Sequence, residues 1–245
     1  MTVDRLTQAV RRQVGLGRIL ALGGPRDGTW IAERAAEAVL RRAVVRDAPG
    51  VRLDGVRIGL ADPEGVTGEP VVPPPPGAVP PGALRLTVEF AATAARPVPV
   101  TASLLRELLA EVVVERVGLA VGEVDLRVVD LLDAEPVPVA EPVPTPGEPA
   151  AAPGEPAGHG GSEAERIAAT AVAVPGVSRL TGVLGRSVHL TEHRGGTGPS
   201  RRHARVDLAV AAGARPLEVA RRVRSAVTGS LPDRPTVAVL ITAVD

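Results

Sequence analysis

The segment from His189 to His203, HLTEHRGGTGPSRRH, gathers residue types that could do chemistry. His189 and His193 stand four apart and His203 follows. On a helix that spacing can hold zinc through imidazole nitrogens, with an acid as base. The order is not His-Glu-x-x-His, however, and Gly195-Gly196 point to a strand running into a loop. No metal site is expected. Arg194, Arg201 and Arg202 flank the same glycines. Guanidinium forks and open backbone N–H groups could take a phosphate or carboxylate there. The loop has no P-loop lysine and no aromatic ring on which a base could stack, so a solvated hairpin tip is the simpler reading.

Three further arginines, Arg221, Arg222 and Arg224, fall mostly off the apolar face of a helical segment. With Arg194, Arg201, Arg202 and His203 they form the candidate contact set for an anion or a partner. Glu107, Glu111 and Glu115 make an i, i+4 row of carboxylates. Paired carboxylates can do acid–base work, but along an exposed helix face they are ordinary charged surface. GLGRILALGG and GGPRDG fit no G-x-G-x-x-G pattern, and no Ser, His and acid set has a nucleophile-elbow context. The expectation is a non-enzymatic chain with no catalytic residue and no cofactor.

Composition narrows the classes. The 245 residues are 44% apolar but hold one Phe, one Trp and no Tyr, so the core must be aliphatic. All 28 basic residues are Arg and equal the 28 acids. Zero net charge argues against a bulk polyanion binder. The balance is uneven: residues 162–245 carry 12 Arg against 7 acids, a net of +5. The lack of Lys, Asn, Tyr and Cys suggests a high-GC bacterium, in which Arg is ordinary surface charge. Without Cys there is no disulfide or thiolate chemistry. No run approaches the length of a spanning helix, and the N-terminus does not have the form of a signal peptide, so a soluble, cytoplasmic chain is expected.

Two stretches must position these residues. Thr29 is placed to cap a helix to about Val45, and Pro49-Gly50-Val51 turns it into an alternating strand over 51–60. VVPPPPGAVPPG at 71–82 can be neither helix nor central strand and is a stiff insert. Leu84, Leu86, Val88 and Phe90 alternate as a strand, Leu104 to Val117 line a helix that Gly118 stops, and Val124, Leu126 and Val128 alternate again. Residues 134–161 carry eight prolines and no periodicity, a linker. Ser162 and Glu165 then form a capping-box pair, Pro175-Gly176-Val177 repeats the earlier turn, and strands, a helix from Pro216 and the apolar strand TVAVLITAV at 236–244 follow. The last strand should be central and covered on both faces.

The same order therefore occurs twice, with Arg96-Pro97 falling against Arg215-Pro216. The fold class expected is α+β: two related small modules, 1–133 and 162–245, each helix-strand-strand-helix-strand, joined by the 134–161 linker.

IAATAVAVPGV, LTGVLGRSVHL, ARVDLAVAAGARPLEVARRVRSAV and PTVAVLITAV resemble the alkaline shock protein family of bacteria over 163–245, and the match is weaker over 18–133. The resemblance implies a stress-related interaction or scaffold protein of the cell envelope. It would be cytoplasmic and held at the membrane through a membrane-anchored protein partner, and self-association is a further route. Direct membrane insertion is not implied. A nucleic-acid or anion-binding module using the 194–203 loop is the alternative. The family places a strand ahead of the first helix. In the first copy Arg18–Leu22 is the candidate for it; in the second, only the Gly-rich end of the linker stands there.

Overall fold

The computed structural model describes residues 15–65, 68–134, 162–193 and 201–245, without the side chains of His193 and Arg201. Its elements in chain order are β1 (Ile19–Ala21), β2 (Thr29–Ala32), α1 (Glu33–Asp47), β3 (Val51–Leu60), β4 (Leu84–Thr93), α2 (Val98–Glu111), β5 (Val121–Leu132), α3 (Glu163–Val172), β6 (Val177–Leu180), β7 (Val188–His193), β8 (Arg201–Val210), α4 (Pro216–Ser230) and β9 (Thr236–Val244). A π-helical turn, Val112–Val117, prolongs α2. The chain is α+β.

The repeat in the sequence recurs in the strand pairing. In the first half β3 lies antiparallel to β4, and β4 parallel to β5. In the second, β6 and β7 lie end to end along β8, both antiparallel to it, and β8 is parallel to β9. The broken strand β6–β7 thus takes the place of β3. The two Pro-Gly turns match in detail. Gly50 and Gly176 both have positive φ, 82° and 97°, a conformation that costs glycine nothing. Each carbonyl then accepts a backbone N–H from the end of the neighbouring strand, Thr93 at 2.9 Å and Ala211 at 3.0 Å.

One difference separates the halves. Thr29 does not cap α1; Thr29–Ala32 is the strand β2, and α1 begins at Glu33. All four β2 residues are buried, and β2 runs parallel to β9, with Trp30 opposite Leu240 and Ile31 opposite Ile241. Four short residues cannot show a reliable period, so the apolar run merged with the helix that follows. Ile19–Ala21, the strand sought at 18–22, is one position further out, paired to β2. The larger sheet therefore runs β1-β2-β9-β8, with β6 and β7 beyond β8, and the smaller runs β3-β4-β5. The first half donates a strand to the sheet of the second. As expected for TVAVLITAV, β9 is interior and buried along nearly its whole length.

One aliphatic core runs through both halves, from Leu20, Ile31 and Leu40 through Leu86 and Phe90 to Val206, Val223 and Ile241. A smaller cluster lies on the other face of the large sheet. There Ile19, Trp30 and Leu240 are covered by Val72 of the proline insert. Val79 donates to the carbonyl of Ile19 at 2.8 Å and fixes that insert in place. Gly118, with φ 98°, ends the π turn where any side chain would run into Leu217 of α4. The capping box on α3 forms: the Ser162 hydroxyl accepts from the Glu165 N–H, and the Glu165 carboxylate from the Ser162 N–H at 2.7 Å.

Candidate functional site

The basic residues singled out above divide into separate groups, and Arg202, Arg221, Arg222 and Arg224 each meet a group of this same chain. Arg221 holds Asp27 in a two-pronged pair, Nε to Oδ1 and Nη2 to Oδ2, both 2.9 Å. Arg224 donates to the carbonyls of Arg26 at 2.9 Å and Asp27 at 3.0 Å. Asp27 also accepts the Gly24 N–H at 2.7 Å. Burial works to raise the Asp27 carboxyl, but the Arg221 and Gly24 hydrogen bonds outweigh it and hold the group below its ordinary value. GGPRDG is thus the β1–β2 turn, clamped onto α4. Arg222 reaches Glu218 at 3.7 Å.

Arg202 belongs to a second group. It pairs with Glu163 and, at 3.1 Å, with Asp233. Its hydrogen bond holds the Glu163 carboxyl below the usual range. His203 is buried, with Nδ1 3.0 Å from the Thr236 hydroxyl. Arg201 stands at the head of β8, opposite His193, while Arg194 lies outside the described residues. His189 and His193 share β7, and His203 is on the adjacent strand opposite Thr191. Among the described residues no three His, Asp or Glu side chains gather as metal ligands. Glu107, Glu111 and Glu115 are exposed, as the helical spacing implies.

The face of the large sheet away from the main core carries polar groups that alternation alone did not single out. Asp207 is fully buried on β8 and pairs with Arg205, Nε to Oδ1 at 3.0 Å. Burial dominates there and pushes the Asp207 carboxyl up to about 6 against the opposing pull of Arg205. Beside Arg205 in the β7–β8 register stands His189, lowered by burial and by the Arg205 charge. Asp207 occupies an apolar–polar alternation that looks like a solvent face in VDLAV. The loop over 181–187 covers it, with the Thr181 N–H bonded to the Asp207 carbonyl at 2.9 Å and the Asp207 N–H to that of Ser187 at 2.8 Å.

The remaining unusual surface is the outer edge of β5. Among the described residues β5 pairs only with β4. At 12 residues it is the longest strand, and most of it is exposed. Three of the nine exposed large aliphatics among the described residues are on it: Val128, Val129 and Leu131 at 38%, 44% and 58%. The equivalent strand in the other sheet, β9, has this side covered by β2. Where the second half receives a strand, the first half has no strand among the described residues.

Two clefts also open on the surface of the described residues. One of about 260 Å³ lies between α2 and the α1–β3 turn, floored by Leu104, Leu105 and Leu108. The other, about 460 Å³, is lined by Arg42, Arg46, Arg116 and Arg215. Its arginines also serve the chain: Arg42 bonds the Val244 carbonyl at 2.8 Å, Arg46 and Arg116 share Asp47, and Arg215 bonds the Val114 carbonyl at 3.0 Å. No helix among the described residues is long and apolar enough to cross a membrane. Comparison with family models, with curated proteins and with solved structures gives no match.

Proposed function

We propose that this chain is a non-enzymatic interaction or scaffold protein that acts through protein partners, and that the open edge of β5 is its contact surface. The observation that carries this reading is the asymmetry between the two sheets. The place beside β9 is filled by β2, and among the described residues the same place beside β5 is open along a 12-residue strand. A sheet edge offers a row of unpaired N–H and C=O groups to an extended segment, and exposed aliphatics beside it supply apolar contact. A stress-related role at the cell envelope, through a membrane-anchored partner, is the form of this function that the resemblance to alkaline shock proteins suggests. The alternative, nucleic-acid or anion binding, is less favoured because Arg202, Arg221 and Arg222 already face Glu163, Asp233, Asp27 and Glu218. Charges matched inside the chain have few counterions to release on meeting a phosphate backbone.

A photo-crosslinking residue in place of Val129, introduced in the full chain in its own cells, tests the reading. The expected result is a discrete protein adduct whose yield falls at least about tenfold with Val128→Lys and Leu131→Lys together, since charge on the apolar strip opposes docking. No protein adduct, or one indifferent to those changes, contradicts it. A nucleic-acid adduct supports the alternative.

A further inference from the structure

We propose that the open edge of β5 pairs with the same edge of a second copy of this chain, antiparallel about a two-fold axis through Leu126. This inference rests on the reading of β5 as the contact surface and names its occupant.

The argument lies in five residues, Val124-Asp125-Leu126-Arg127-Val128. Their pattern is apolar, acid, apolar, base, apolar, and it reads the same from either end once acid is exchanged for base. Laid antiparallel on itself about Leu126, the strand puts Val124 against Val128, Leu126 against Leu126, and Asp125 against Arg127, twice. Opposed pairs of this kind are the unit that stabilises an antiparallel ladder. A shift of one residue sets apolar positions against charged ones, because alternate side chains point to opposite faces. Shifting the axis to Arg127 opposes two arginines, and shifting it to Asp125 opposes two aspartates. Only the Leu126 register satisfies both faces.

The structure places each group where this pairing needs it. Val124 and Leu126 pack partly on the core, so they continue the apolar side of the sheet. Asp125 and Arg127 are on the opposite side, exposed, with only long contacts to β4: Arg85 at 3.5 Å and Glu89 at 3.6 Å. Their charges are open to a second partner. One group lies across the edge: Arg106 of α2 donates to the Val124 carbonyl at 3.4 Å, a long single bond that strand addition would replace. The product is a six-stranded sheet, β3-β4-β5 continued by the partner's β5, β4 and β3. A two-fold contact of this sort closes on itself and does not propagate.

Sedimentation of the full chain over a dilution series tests the proposal. The wild-type chain is expected to dimerise. Arg127→Asp, which opposes Asp125 to an aspartate at both positions, should weaken the dimer at least about tenfold. Asp125→Arg combined with Arg127→Asp restores the palindrome with its charges exchanged and should return the affinity to within about threefold of the wild type. A wild-type chain that stays monomeric throughout, a dimer indifferent to Arg127→Asp, or a double variant no better than the single one overturns the proposal. A monomeric chain that still gives the Val129 adduct with another protein leaves β5 as a contact surface and removes only the self-pairing. Loss of both removes the contact surface as well.

Discussion

Ile31→Asp is expected to abolish the folded state. Ile31 is completely buried in the middle of β2, opposite Ile241, and belongs to the core that runs through both halves. A carboxylate there has no partner, and an uncompensated buried charge costs about 3–5 kcal/mol. A domain of ordinary size has about 5–15 kcal/mol in all. The change should remove most or all of the cooperative urea transition, with the loss felt in residues 162–245 as much as in the half that carries the mutation. Ile31→Val, which keeps the strand and trims one methylene, should cost only about 1 kcal/mol. Urea unfolding followed by probes in each half measures both. Were Ile31→Asp to melt the first half alone, β2 would not be a working part of the second sheet.

The second large effect is a pH dependence that opposes the usual acid denaturation. Asp207 titrates near 6 in the folded chain, from an ordinary value of 3.8, because burial disfavours its ionised form. A carboxyl raised in this way contributes stability that is fully present below pH 3.8 and is lost as pH rises through 6. The span is worth about 3 kcal/mol. Asp27 has the opposite sign. It is held low, so its contribution is present above the ordinary carboxylate value and is lost on acidification; its partial exposure makes that contribution small. Urea unfolding of the wild type and of Asp207→Asn at a series of pH values separates the two. The expected outcome is a difference between the proteins that changes by about 2.4 kcal/mol between pH 4 and pH 7, with the variant gaining relative to the wild type as pH rises. A difference that stays flat over that range would mean that Arg205 compensates Asp207 fully.

Much of the architecture was legible because it was written as periodicity. The alternation in Leu84–Phe90, the apolar face of α2 and its π turn (Leu105, Leu109, Val112, Val113 and Val117 buried, although Leu104 is left exposed), the capping pair Ser162 and Glu165 and the unbroken apolar run of β9 each name one element and one face. The repeated Pro-Gly-Val turn gave the two-fold order, since a left-handed glycine followed by a strand is a local device. What stayed hidden was non-local. Nothing in Thr29–Ala32 says that it pairs with residues more than 200 positions away, and its four residues were absorbed by the helix behind them. The missing leading strand of the second half was visible as a gap, but the donor of the replacement was not. The partners of the arginines were hidden for the same reason. Arg221 and Asp27 are 194 residues apart, so no local pattern shows that the guanidinium is already engaged. The β5 edge was legible in one respect: Val124–Val128 shows its palindrome in the sequence, although only the topology shows that the edge is open.

The measurement that tests the account most directly is cleavage between the halves. With a protease site placed within 135–161, the native chain is cut and the fragments are run through a sizing column without denaturant. Strand donation predicts that they travel together as one folded complex and separate only when unfolded, because β2 stays beside β9 and Arg221 and Arg224 stay on the 23–28 turn. Two folded fragments that part at once would contradict it, and with it the reading of β5 as the place left open by the donated strand.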